Sequence, residues 1–133
     1  MTNQVSTTAA DWVEPTDMKV VWSDEFNDPS IDRSKWMCET TATGWSPTWN
    51  NELQEYTDID TGGNNAFIEN GNLVIRGEKT PKGYTAARLA TKGKHSWKHG
   101  RIAAKIKLPY GQGIWPAFWM LPENGNWPDA GEI

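Results

Sequence analysis

Arg101-Ile102-Ala103-Ala104-Lys105-Ile106-Lys107-Leu108 reads with a period of two. Ile102, Ala104, Ile106 and Leu108 point one way and Arg101, Lys105 and Lys107 the other, the pattern of a half-buried strand. Outward from this stretch, short alternating runs return at residues 18–26, 72–78, 85–91 and 114–121. Between them stand turn formers, Gly62-Gly63-Asn64-Asn65, Asn70-Gly71 and Pro81-Lys82-Gly83, which supply positive φ or preset a turn. Twelve glycines and eight prolines punctuate the whole length. Only residues 30–38 have room for a helical turn, too short to pack as a helix. Short strands at roughly ten-residue spacing, with no helices between them, predict an all-β fold, an antiparallel sandwich or barrel.

The 133 residues fit one domain on the soft prior of ~150 residues each, yet sandwiches with a ligand-bearing face commonly run to about 200–250. The final residues, Asp129-Ala130-Gly131-Glu132-Ile133, begin a new acidic and apolar alternation with no cap or turn after it. A strand left unpaired there would be an aggregation hazard. Residues 18–133 are therefore expected to be the N-terminal part of one larger domain, completed by material outside this chain, behind a polar, flexible segment or linker at residues 1–17.

Leu, Ile, Val and Phe number only 21, a share that would signal disorder if the net charge were large. The net charge is −4, and nine tryptophans, each able to bury on the order of 200 Å², supply the missing apolar mass. With 13 basic against 17 acidic residues, the chain lacks the clustered positive charge that nucleic acid requires. The one basic cluster, residues 92–101 with His95 and His99, reads as a solvated turn. No window approaches the ~20 apolar residues of a membrane-spanning helix, and the first residues lack the basic-then-apolar layout of a signal peptide. Cys38 stands alone. No disulfide within the chain and no cysteine-based zinc site follow, and a small buried hydrophobe is its ordinary reading.

Three groups of residues, and Glu132 beside them, can carry chemistry. In Gly111-Gln112-Gly113-Ile114-Trp115-Pro116-Ala117-Phe118-Trp119, Trp115 and Trp119 share one face of an extended strand, with Ala117 leaving a shallow gap between them. Pro116 cannot donate to a ladder and marks an edge or bulge. Flat indoles suit the C–H faces of sugar rings, whose hydroxyls then need amides and charges around them; taken singly, each tryptophan is more readily a core residue. Trp49-Asn50-Asn51-Glu52-Leu53-Gln54-Glu55-Tyr56 mixes amides and carboxylates with aromatics, or is a plain polar loop. Tyr84-Thr85-Ala86-Ala87-Arg88-Leu89 sets Arg88 among small neighbours, free to reach into a groove or to form a cross-strand pair. Glu132, alone on its strand, is one half of the carboxylate pair that glycoside hydrolysis with retention requires ~5–5.5 Å apart.

Trp22-Ser23-Asp24-Glu25-Phe26-Asn27, Asn50-Asn51-Glu52-Leu53-Gln54-Glu55-Tyr56, Asn70-Gly71-Asn72-Leu73-Val74-Ile75, the tryptophan-rich strand and Gly131-Glu132-Ile133 occur in this order. Together they resemble the laminarinase branch of glycoside hydrolase family 16, over residues 18–133. The resemblance implies a concanavalin A-like antiparallel β-jelly-roll sandwich, incomplete in this chain, with a sugar cleft across its concave face. It implies endo-acting hydrolysis of β-1,3-glucan with retention, in a secreted enzyme acting on polysaccharide, with no cofactor for the chemistry. Glu132 takes the nucleophile's place, while the acid/base glutamate and an intervening aspartate would follow Ile133, so this stretch alone would not turn over substrate. Asn51, Arg88, Trp115, Trp119 and Trp127 match substrate-binding positions. Glu25 and Gly71 match two ligands of a structural calcium. A β-1,3-1,4-glucanase, a β-glucan-binding module on the same scaffold and a jelly-roll with core tryptophans stay open. The remainder of the domain, on this chain's continuation or on a second chain, is the expected partner, with no nucleic acid and no membrane.

Overall fold

The computed structural model describes residues 15–45, 47–59 and 64–133. Most of the expected linker at residues 1–17, and Gly62 and Gly63 of the first turn signal, lie outside the described residues. The described chain is β-structure with two single turns of 3-10 helix, Thr41–Thr43 and Pro47–Asn50. Seven short strands run in chain order: β1 Met37–Cys38, β2 Gln54–Tyr56, β3 Ala66–Glu69, β4 Asn72–Ile75, β5 Glu78–Thr80, β6 Gly83–Ala86 and β7 Leu89–Ala90. They form a β1-β7 pair, a β2-β6-β5 sheet and a β3-β4 hairpin.

The β3-β4 hairpin follows from its turn. Asn70 and Gly71 hold φ of 51° and 68°, the two left-handed residues that a type I′ connection needs and that only Gly and Asn adopt cheaply. The register Glu69↔Asn72 through Ala66↔Ile75 is then fixed. Thr80↔Gly83 closes the β5-β6 hairpin over Pro81-Lys82. The pairing of β2 with β6 is parallel, a local departure from the expected antiparallel order. The turn within residues 30–38 exists, closed by Asp32 O accepting from Lys35 N and Trp36 N at 3.0 and 2.9 Å, but residues 37–38 already belong to β1. Neither 3-10 turn was signalled by periodicity, which a single turn is too short to display.

Ile31, Ala66 and Ala87 are buried, packed against Trp36, Ile59, Ile68, Leu73 and Leu89. Cys38 is buried as expected. The element that joins the sheets is polar. Asn65, 1% exposed, accepts from Thr57 Oγ1 at 2.8 Å and donates to Arg76 O at 2.8 Å and Thr85 Oγ1 at 3.1 Å. Its carbonyl accepts from Arg76 N at 2.7 Å. A buried amide so fully satisfied clamps β6 to the residues that follow β2 and β4.

Three expected strands are corrected. Residues 18–26 join no ladder; they are anchored instead by Asp24, which accepts from Trp36 Nε1 at 2.8 Å and Phe26 N at 3.2 Å, and by Trp22, edge-on to Trp36 and Trp97 at 5.6 and 5.5 Å. Residues 101–108 and 114–121 also form no ladder strand among the described residues, and every residue from 101 to 118 is exposed. Alternation marks a segment able to pair, but half-burial needs a neighbouring strand and a covering layer, and the described residues supply neither. Residues 85–91 and 72–78 are each split into two short strands, around Ala87-Arg88 and Arg76-Gly77.

Replacing Asn65 by Ala orphans the groups it serves, and an unsatisfied buried polar group costs ~1–3 kcal/mol. Urea unfolding of the protein carrying the whole domain is expected to show Asn65→Ala less stable by about 3 kcal/mol; a loss under ~0.5 kcal/mol would deny Asn65 its clamping role.

Candidate active site

Arg88 sits in the break between β6 and β7, where neither ladder claims it. The β1-β7 pairing is prolonged by Glu39 N donating to Arg88 O at 2.8 Å, which brings the two side chains side by side. Arg88 Nε donates to Glu39 Oε2 at 2.5 Å, with both side chains largely buried. The guanidinium carbon lies 3.7 Å from the ring centre of Trp45 and 4.3 Å from that of Trp119. A planar cation lying over two indole rings gains cation–π attraction from each and gives up rotational freedom. The cross-strand reading of Arg88 holds, and the pairing leaves its side chain beside two aromatic rings.

The surroundings of Arg88 are aromatic and polar in turn. Trp45 meets Trp49 edge-on at 5.3 Å and Tyr56 at 6.3 Å. Gln54 Nε2 donates to Tyr56 Oη at 2.9 Å. Burial pushes the Tyr56 phenol above its ordinary value of 10.0; the Gln54 bond opposes this, Glu52 adds to it, and Arg88 opposes it. Trp45 Nε1 and Glu52 Oε2 are buried with no hydrogen-bond partner among the described residues. Asn51 follows the second 3-10 turn with φ 55°, a left-handed position that asparagine tolerates, and its side chain is exposed.

Met120 and Ile133 exchange both backbone bonds, at 2.7 and 3.1 Å, as a directly opposed antiparallel pair does. Side-chain alternation then sets Glu132 across from Leu121, and Trp119, two residues before Leu121, on the same side. The Glu132 carboxylate is exposed and accepts from Trp127 Nε1 at 2.8 Å. Trp127 is 69% exposed and Trp115 77%, so neither is a core residue of the described chain. Trp119 is half-buried against Arg88.

The structure thus joins Arg88 to Trp119 and Trp127 to Glu132 by direct contact. Neither Asn51 nor Trp115 is joined to these residues by a hydrogen bond or ring contact among the described residues. Glu39 and Trp45 were missed by sequence reasoning. Glu39 is 49 residues from Arg88, and no local pattern signals a pairing at that separation. Asn27 Oδ1 lies 3.9 Å from where a Cβ on Gly71 would stand, so the hairpin turn approaches the segment holding the exposed Glu25. The donors there are oxygens, as a hard cation takes, but no cluster of three His, Cys, Asp or Glu side chains is assembled for a metal among the described residues.

The family description "XgeA-like, catalytic GH16 domain" matches residues 44–133. A β-glucanase of Rhodothermus marinus is 42% identical over 124 residues, covering 86% of this chain and 42% of that protein. A glucan endo-1,3-β-glucosidase of Cryptopygus antarcticus is 42% identical over 123 residues, covering 84% of this chain and 43% of that protein. The laminarinase from Flavobacterium sp. UMI-01 superposes with a TM-score of 0.72 at 38% identity, covering 86% of this chain and 50% of that one. The chain spans half the length of these relatives or less.

Arg88→Lys keeps the charge and loses both stacked faces, so a stability loss of about 1–2 kcal/mol is expected in urea; a loss near zero would leave the two indoles without an energetic part in holding Arg88. For Tyr56 the folded protein holds the proton more tightly than the unfolded chain. The stability linked to it is complete below pH 10.0 and is lost as pH rises through the raised value. Comparing parent with Tyr56→Phe, the advantage of the parent should shrink above that pH, and a gap constant with pH would contradict the shift.

Proposed function

The chain belongs to glycoside hydrolase family 16, and from that premise we propose that the protein carrying it cleaves internal β-1,3 linkages of laminarin-type glucans with retention of configuration. The fold is the family's β-jelly-roll sandwich, of which the chain spans about half. The observation that carries the reading is the exposed Glu132 carboxylate, hydrogen-bonded to Trp127 and set by the Met120–Ile133 pairing on the side of Trp119, which packs on Arg88. A sugar chain along this face meets an acceptor able to attack carbon, flat apolar rings for its C–H surfaces and a fixed cation for its hydroxyls.

In the reaction, Glu132 attacks the anomeric carbon as the leaving oxygen takes a proton from a second carboxyl group. Water then attacks the glycosyl-enzyme and frees the sugar. The second carboxyl group belongs, on this reading, to the part of the domain outside the chain. That part also pairs with the exposed residues 101–118. Arg88, held by Glu39 and two indoles, and Asn51 fix the register of the glucan, and Trp115 extends the platform. A structural calcium, held by Glu25 and the Gly71 carbonyl with further oxygens from elsewhere, would fasten the hairpin turn and take no part in the chemistry. Secretion is supported by the substrate, since a glucan polymer must be met outside the cell; no helix of the described residues is long and apolar enough to cross a membrane.

The test is Glu132→Gln in the protein with its whole domain. Laminarin turnover should vanish while glucan binding, followed by tryptophan fluorescence, persists. Residual activity above about a tenth of the parent, ~1.4 kcal/mol of barrier, would remove Glu132 from the nucleophile's role. Faster hydrolysis of a mixed-linkage β-1,3-1,4-glucan than of laminarin would overturn the linkage assigned.

A further inference from the structure

We infer that Trp127 is a positioning residue for Glu132: its indole N–H holds one carboxylate oxygen so that the other is presented to the sugar. This rests on the reading of Glu132 as nucleophile and adds a role for Trp127 beyond that of a stacking surface. The Nε1–Oε2 separation is 2.8 Å, the length of a charge-assisted bond. An indole N–H only donates, so the polarity of the contact is fixed. The terminal torsion of a glutamate is broad and shallow, and no other hydrogen bond to the Glu132 carboxylate exists among the described residues. Among the described residues the indole is therefore what sets the carboxylate's rotation.

The loop between the two residues is shaped for this contact. Ala130 N donates to Asn126 O and Gly131 N to Pro128 O, both at 2.9 Å. Gly125 has φ 103°, and a Cβ on it would stand 2.7 Å from that of Ala130, so only glycine lets the loop close this tightly. The ladder between Met120 and Ile133 fixes the other end. Trp127 is thereby folded back over a carboxylate five residues on, with 69% of its surface still open to a ligand.

The bond follows the charge through the reaction. As Oε1 forms its bond to the anomeric carbon, the bond from that carbon to the leaving oxygen breaks, and the departing oxygen is protonated by the second carboxyl group. Oε2 becomes the carbonyl oxygen of an ester and keeps the N–H. When water attacks the same carbon, giving its proton to that second group, the electron pair of the ester C–O bond returns to Glu132. The N–H then meets a full negative charge. Release of the sugar from Glu132 is thus the step that gains most from Trp127.

The experiment replaces Trp127, in the protein with its whole domain, by benzothienylalanine, which keeps the bicyclic shape and substitutes sulfur for N–H, and in parallel by Phe. With laminarin as substrate, kcat should fall at least fivefold in the benzothienylalanine protein, with KM within twofold of the parent. A smaller fall in kcat, or a loss confined to KM, leaves Trp127 as a stacking surface and overturns the proposal. Independently of activity, the Trp127 indole ¹⁵N–¹H resonance should move upfield in Glu132→Ala; an unmoved resonance also overturns it. Retained turnover in Glu132→Gln would instead defeat the nucleophile reading, while an inactive Glu132→Gln beside a fully active benzothienylalanine protein defeats the positioning role alone.

Discussion

The guanidinium of Arg88 is where otherwise separate stretches of chain meet. Glu39 comes from the continuation of β1, Trp45 from the loop between the two 3-10 turns, and Trp119 from the segment that bonds to Ile133. Without that contact the tryptophan-rich segment, exposed along most of its length, would have little to hold it against the sheets. The placement of Glu132 depends on it in turn, because Met120, next to Trp119, is the residue that pairs with Ile133.

Arginine is suited to this post in a way lysine is not. Its plane offers two faces for indoles and an edge for a carboxylate, and it stays charged at any relevant pH. Glu39 takes Nε, while the guanidinium lies over both indole rings. A half-buried cation paired in this way is held in one orientation.

Much of this was legible in the sequence, because it rests on short-range rules. The Asn70-Gly71 turn gives its hairpin and register, Pro81-Lys82-Gly83 gives the next, and the ordered motifs give the family. Glu132 and Trp127 are five residues apart, close enough for a pattern to link them. What escaped lies at longer range. Nothing local in Asn65 announces a buried amide serving Thr57, Arg76 and Thr85, and Glu39 finds Arg88 only after β1 has found β7. Residues 101–108 show the opposite failure. Their alternation is real, but burial is a property of neighbours, and the described residues do not cover them.

The central claim is that the carboxylate at position 132 bonds covalently to the sugar. Incubating the protein that carries the whole domain with a 2-deoxy-2-fluoro β-1,3-linked glucobiosyl fluoride, which forms the glycosyl-enzyme quickly and releases it slowly, tests this directly by peptide mass mapping. The account predicts one added disaccharide, on the peptide holding Gly131-Glu132-Ile133 and at the glutamate itself. A stable label on any other residue, or product released with inverted configuration and no label, would contradict it.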